Sequence, residues 1–281
     1  MTVLLALAAA ALFALGTVLQ QREAMREPEE GSLGAGFIGR LARRPIWLAG
    51  IAADGLGFVG QAAALGVGRM VVVQPILAMT VIFSLPLGAK LSGQRISPRD
   101  VLAAGVTTGG LALFLALGNP SAGRDDAPVE EWLIAGAATA AICGPLVIAA
   151  AGRSSRTRAA LLGIATGILW GLSAGITKAT VDQLDEGLVA LLTDWHVYAL
   201  IVVGAAALVL SQASLQTGAL APAIATASIL DPLASLVLGV TIFAERLEDS
   251  APEALLAFGG LAVALVGLYY LAGAQAAEEE G

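Results

Sequence analysis

Nine runs of about 20 apolar residues divide this chain, at roughly 2–20, 46–66, 70–91, 100–118, 131–151, 159–179, 195–216, 219–243 and 253–273. A run of that length is what an α-helix needs to cross about 30 Å of hydrocarbon. In lipid every backbone polar group must be paired within its segment, which restricts such runs to helices. Of the 281 residues, 57% are hydrophobic and only 13% are charged, against about 25% charged in a soluble domain. The expected fold is an all-α polytopic membrane protein of about nine transmembrane helices, with the lipid bilayer as its solvent. Two weaker segments, 32–42 and Leu188 to Leu192, read as short interfacial or re-entrant helices; if either spanned, the count would be ten.

The apolar runs also repeat. Residues 4–8 and 12–15 return as 161–165 and 169–172, at an offset of 157. Gln61 returns as Gln212, residues 84–88 as 235–239, and Gln94-Arg95-Ile96 as Glu245-Arg246-Leu247, at an offset of 151. The copies begin at helices one and six, and an odd separation sets them in opposite orientations. Inverted repeats of this kind are a recurring plan of secondary transporters. The chain then divides into a first repeat over 1–118, a connector with the fifth helix over 119–157, a second repeat over 158–273 and an acidic tail over 274–281.

Charge sets the orientation. Eleven Lys and Arg fall on one side of the predicted helices, and four fall on the other: Arg69, Arg124, Lys178 and Arg246. Cytoplasmic loops carry the excess, so the expected placement is in the cytoplasmic membrane, N-terminus outside and C-terminus cytoplasmic. The first run lacks the basic leader of a signal peptide, and its repeat partner is internal, so it is expected to remain as a helix. The net charge of −7 leaves no basic footprint for nucleic acid. One cysteine, Cys143, and one histidine, His196, provide neither a disulfide framework nor a Cys/His metal cluster. Phosphate loops and nucleophile elbows are missing, which argues against an ATP-driven pump or a membrane hydrolase. No cofactor and no enzymatic activity are expected. The 34 glycines and many alanines let helices approach closely, within one chain or across a homodimer.

A charge at membrane depth is costly and marks a functional candidate. Two carboxylates qualify: Asp54, in the outer or middle part of helix two, and Asp231, in the middle of helix eight. Asp231 precedes Pro232, whose missing N–H frees a carbonyl one turn earlier, near Ser228. Gln74-Pro75 in helix three repeats that arrangement in the other half, six residues earlier when the repeats are aligned. Interrupted helices in corresponding positions point to a transport site. Gln61 and Gln212 are repeat equivalents, and Gln216 follows on the face of Gln212; amides in hydrocarbon usually bond across helices. Lys178 is expected to snorkel to the outer interface. Trp195 and His196 read as an interfacial anchor, and Asp194 as the cap of helix seven.

The stretch Ser211–Leu220, then Ile229-Leu230-Asp231-Pro232-Leu233-Ala234-Ser235, then Gly239–Leu247 resembles the drug/metabolite transporter superfamily. There a proline-bearing helix ending in a Glu-containing turn closes each half. Glu245 matches that turn, and Gln94 replaces it in the first half. Nine helices and an outside N-terminus are more similar to the NIPA-type magnesium transporter branch than to the ten-helix EamA-like branch. The resemblance implies a secondary transporter of a small solute working by alternating access, or of a divalent cation such as Mg²⁺. In the second case Asp54 and Asp231 would supply the one or two carboxylates that magnesium usually takes. A non-transporting membrane scaffold is the remaining alternative.

Overall fold

The computed structural model describes residues 1–24, 42–92, 96–118, 123–183, 187–215, 217, 219–246 and 251–279. These form eleven helices: α1 (Thr2–Ala24), α2 (Pro45–Gly66), α3 (Met70–Leu77), α4 (Thr80–Ser92), α5 (Pro98–Gly118), α6 (Val129–Ala150), α7 (Ser155–Asp182), α8 (Leu188–Thr193), α9 (Trp195–Leu215), α10 (Leu220–Thr241) and α11 (Ala251–Glu279). Among the described residues nine spans are long and apolar enough to cross a membrane, with α3 and α4 making up one of them. The protein is an all-α polytopic membrane protein. Leu188 to Leu192 forms the short helix α8, while segment 32–42 lies outside the described residues. The last helix runs through Glu279, so the acidic tail begins as its extension.

The spans are sorted by burial. The apolar stretch of α7 is 67% buried, against 11% for α6 and for α9, so α7 is central and the other two are peripheral. Their outward faces carry exposed Leu133, Ile134, Ile148, Ile201, Val202 and Val209. Large apolar side chains outside and small ones inside is the arrangement expected when the solvent is hydrocarbon.

Close approach of α7 to α10 rests on glycine at every fourth position, which falls on one face of a helix. A Cβ added to Gly163 would lie 2.6 Å from the Ala223 carbonyl, one on Gly167 2.6 Å from the Ala227 carbonyl, and one on Gly171 2.7 Å from the Ala234 Cβ. The corresponding positions of α1 are Ala6, Ala10, Ala14 and Val18, all within 1% of complete burial. Helix α1 packs on α2 and on α3–α4, as α7 packs on α9 and on α10. Helices α5 and α11 share the tetrapeptide Gly-Gly-Leu-Ala at 109–112 and 259–262. Gly110 and Gly260 meet reciprocally: the Cβ of either would lie within 2.8 Å of the other's carbonyl oxygen.

The two proline-bearing spans differ. The span of α3 and α4 breaks after Pro75, at Ala78 and Met79, where tight turns take over: the Met79 N–H donates to the Ile76 carbonyl at 3.0 Å. By contrast α10 passes Pro232 unbroken, so only the first-half helix is interrupted in the manner expected of both. Proline removes one N–H, and how far the helix then opens depends on its neighbours; here α10 lies along the glycine face of α7 through Gly163, Gly167 and Gly171.

Gly167→Ala is expected to lower the melting temperature in detergent by several degrees, because the new Cβ meets backbone that cannot yield; overpacking of this kind costs about 1–3 kcal/mol or more. Gly109→Ala, on an exposed face with nothing within 4 Å, should leave melting unchanged or raise it.

Candidate functional site

A helix start leaves N–H groups without partners, and α3 begins inside the protein rather than in water. Its first residues, Met70 and Val71, are fully buried. Their N–H groups donate to Glu245, Met70 to Oε1 at 2.8 Å and Val71 to Oε2 at 2.9 Å. Glu245 arrives there because the chain reverses after α10. The Glu245 N–H donates to the Gly239 carbonyl at 2.9 Å, and Ala244 takes φ +51°, the left-handed region. Gly239 is required at the crossing, since a Cβ there would lie 2.6 Å from the Val71 side chain.

A carboxylate 1% exposed needs a counter-charge. Lys178 of α7 supplies it, donating from Nζ to Glu245 Oε1 at 2.6 Å with its ammonium 4.5 Å from the centre of the Phe243 ring. The expected snorkelling of Lys178 is therefore corrected: it is 7% exposed and turned inward, because its partner is inside. Position 94, which the repeat pairs with Glu245, lies outside the described residues.

Around this pair the loop between α5 and α6 closes on the end of α10. The Arg124 N–H donates to the Phe243 carbonyl at 2.7 Å, an approach only glycine at 123 allows. Arg124 Nε donates to the Ile242 carbonyl at 2.5 Å, and its guanidinium pairs with Glu131. His196 is not an interfacial anchor. It is 2% exposed, with Nδ1 2.6 Å from Asp194 Oδ1 and Nε2 3.4 Å from Asp126 Oδ1, while Trp132 Nε1 donates to that same Asp126 oxygen at 2.9 Å. Asp194 does cap α9, accepting the His196 N–H at 2.8 Å.

A cavity of about 460 Å³ opens beside this network, lined among others by Thr2, Val67, Arg69, Arg124, Asp125 and Lys178. Deeper in the bundle α3 packs against α10. Pro75 and Pro232 line one small apolar void there, together with Thr107 and residues of α11. Each proline follows a polar residue with an uncommitted atom. Gln74 is 3% exposed and its Nε2 has no partner among the described residues. Asp231 accepts a single long bond, from Ser235 Oγ to Oδ1 at 3.4 Å, and among the described residues no cation pairs with it. A Cβ on Gly171 would lie 3.0 Å from the Asp231 carbonyl. Lys178 is seven residues further along α7, so Asp231 lies about 10 Å beneath the cavity floor at 1.5 Å rise per residue. Ser228, half-buried, sits one turn before Pro232, where its carbonyl has lost its helical donor.

The other expected residues separate from this centre. Asp54, near the middle of α2, accepts from Gln20 Nε2 of α1 at 2.5 Å; Gly16 leaves the space its carboxylate fills. Asp54 and Asp231 share no hydrogen-bond partner, and among the described residues no three His, Cys, Asp or Glu gather as a metal site. Gln61 is half-buried on α2, and Gln212 is exposed on α9, facing away from the centre. Neither amide makes a bond across helices among the described residues, and Gln216 lies outside them. Glu245 was legible only as a turn residue. The missed signal is that a lysine within a span demands a carboxylate on the same face.

Removing one member of the Lys178–Glu245 pair leaves the other charge buried, so Lys178→Met and Glu245→Gln should each destabilise by about 3–5 kcal/mol. In detergent denaturation the double variant should lose less than the sum of the two; additive losses would show the pair to be uncoupled.

The chain is 31% identical over 249 residues, 88% of its own length and 86% of the other's, to the uncharacterized protein Cgl0250/cg0304 of Corynebacterium glutamicum. No protein-family model matches the chain, and no solved structure matches it.

Proposed function

The chain belongs to the same family as the Corynebacterium glutamicum protein, and we propose that it is a secondary transporter, moving a small solute across the cytoplasmic membrane by alternating access. The observation that carries this reading is the pairing of two uncommitted polar side chains, Gln74 Nε2 and the Asp231 carboxylate, each one residue before a proline, on two helices that pack together. An intramembrane polar group with nothing to bond costs free energy that a purely structural role would not require. Proline-bearing helices meeting in the interior supply the mobile joint that alternating access needs.

Other features agree with this reading. The reciprocal Gly110–Gly260 contact is what a two-fold relation between inverted halves requires at its axis. The drug/metabolite transporter superfamily has this plan, and membership in it is part of the proposal. With the side poorer in Lys and Arg outside, the cavity opens away from the cytoplasm and Asp231 waits beneath it. A solute with polar groups is favoured over Mg²⁺, because Asp54 is engaged by Gln20 and among the described residues no cluster of carboxylates gathers with Asp231 to share an ion. Asp231 acts as the coupling group, with Gln74 and the freed Ser228 carbonyl adding polar contacts.

In proteoliposomes with an imposed proton gradient and a panel of organic solutes and Mg²⁺, Asp231→Asn should lose at least tenfold in flux while melting as the wild type does. Asp54→Asn should keep most of it. Well-folded wild-type protein that moves nothing on the panel, or an Asp231→Asn protein that fails to fold, would favour a scaffold instead.

A further inference from the structure

Three of the four basic residues on the cation-poor face of this protein gather around one cavity. Arg69, Arg124 and Lys178 line it, with Asp125 as the acidic lining residue. Such a gathering is not what chance or solvation would give, since like charges repel and the face has loops elsewhere in which to place them. Two of the three are held from behind. Lys178 is fixed by Glu245 and Arg124 by Glu131, and neither carboxylate lines the cavity. Glu245 is further engaged by the two N–H groups of α3, whose dipoles offset part of its charge.

Arg69 is different. It stands at the start of α3, half-buried, and among the described residues its guanidinium has no hydrogen-bond or ion-pair partner, although both other cations of the cavity have one. A guanidinium offers five donors in a planar fork suited to carboxylate or phosphate. The cavity, at about 460 Å³, falls within the range of small-molecule sites. Its walls combine that fork with Lys178, whose Nζ has donors beyond the one given to Glu245.

We propose that this cavity binds a small molecule through an anionic group, carboxylate or phosphate, held between Arg69 and Lys178, with Asp125 disfavouring a second negative charge at the rim. As a statement about cargo this rests on the transport reading. Binding is measured without gradient or flux, so a protein that binds but does not transport separates the failure of one from the failure of the other.

The test is calorimetric titration of the full-length protein, purified in lipid-free detergent, with the monocarboxylate propionate and with inorganic phosphate at constant ionic strength. Saturable binding of either is expected, weakened at least tenfold in Arg69→Gln, unchanged in Arg153→Gln on the opposite face, and tightened in Asp125→Asn. Arg69→Gln removes a side chain without a partner among the described residues, so its melting temperature should match the wild type and a loss of binding will not reflect misfolding. A parallel arm uses nanodiscs with and without phosphatidylglycerol. If soluble anions fail but phosphatidylglycerol raises the melting temperature through Arg69, the anionic group belongs to a lipid headgroup and the soluble cargo is overturned. If neither binds, or if Arg69→Gln binds as well as the wild type, the site itself is overturned.

Discussion

The carboxylate of Glu245 is the point on which the rest of the architecture turns. Helix α3 starts in the protein interior, where its first N–H groups have no water to meet. Glu245 accepts two of them and so brings its own charge into a low-dielectric place, which Lys178 must balance. Three segments distant in sequence are thereby tied at one end of the bundle: the start of α3, the end of α7 and the turn after α10. The same tie sets the depth of α3, and with it the positions of Gln74 and Pro75. A buried ion pair is weak evidence for net stability. Its value here lies in register, because a charge bonded to two specific N–H groups leaves α3 little freedom to slide or rotate.

Small residues do the complementary work along the helices. Without a hydrophobic force between spans, packing in lipid depends on how closely backbones can meet. The central helix uses glycine on one face where its repeat partner α1 uses alanine and valine, so α10 lies against α7 at near-backbone contact. The unequal opening of the two proline helices goes with this. Helix α10 stays continuous along that glycine face, while the span of α3 and α4 breaks beyond the point that Glu245 holds. The two proline-bearing spans are thus a continuous helix and a broken one, meeting at a shared apolar void.

From the face inward, the polar groups form two tiers. The upper tier is charged and mostly partnered, and it walls a cavity of solute size. The lower tier, Gln74 and Asp231, is sparsely bonded among the described residues and lies beside the prolines. Between them on α10 stands apolar packing from Leu236 and Leu238, both nearly buried. Passage from one tier to the other would require that packing to part, while the break at Ala78 and Met79 lies beyond the lower tier.

The nine spans were legible from the order of residues alone, because length and apolarity are local properties and lipid leaves no alternative to the helix. That order also marked Asp231, Gln74 and the two prolines, since a polar or helix-breaking residue in a greasy run is conspicuous without any neighbour. Partnership was not legible. Lys178 near a helix end reads as a snorkelling cation, and only folding shows that its carboxylate lies inside and comes from a turn 67 residues away. Asp54 and Asp231 look alike in the sequence, but one meets Gln20 of the adjoining helix and the other meets almost nothing. Gln61 and Gln212 are equivalent by repeat, yet one is half-buried and the other faces outward, because helix rotation about its own axis is set by packing rather than by composition. The cost of a buried polar group depends on what lies within about 3 Å of it, and only the tertiary structure decides that.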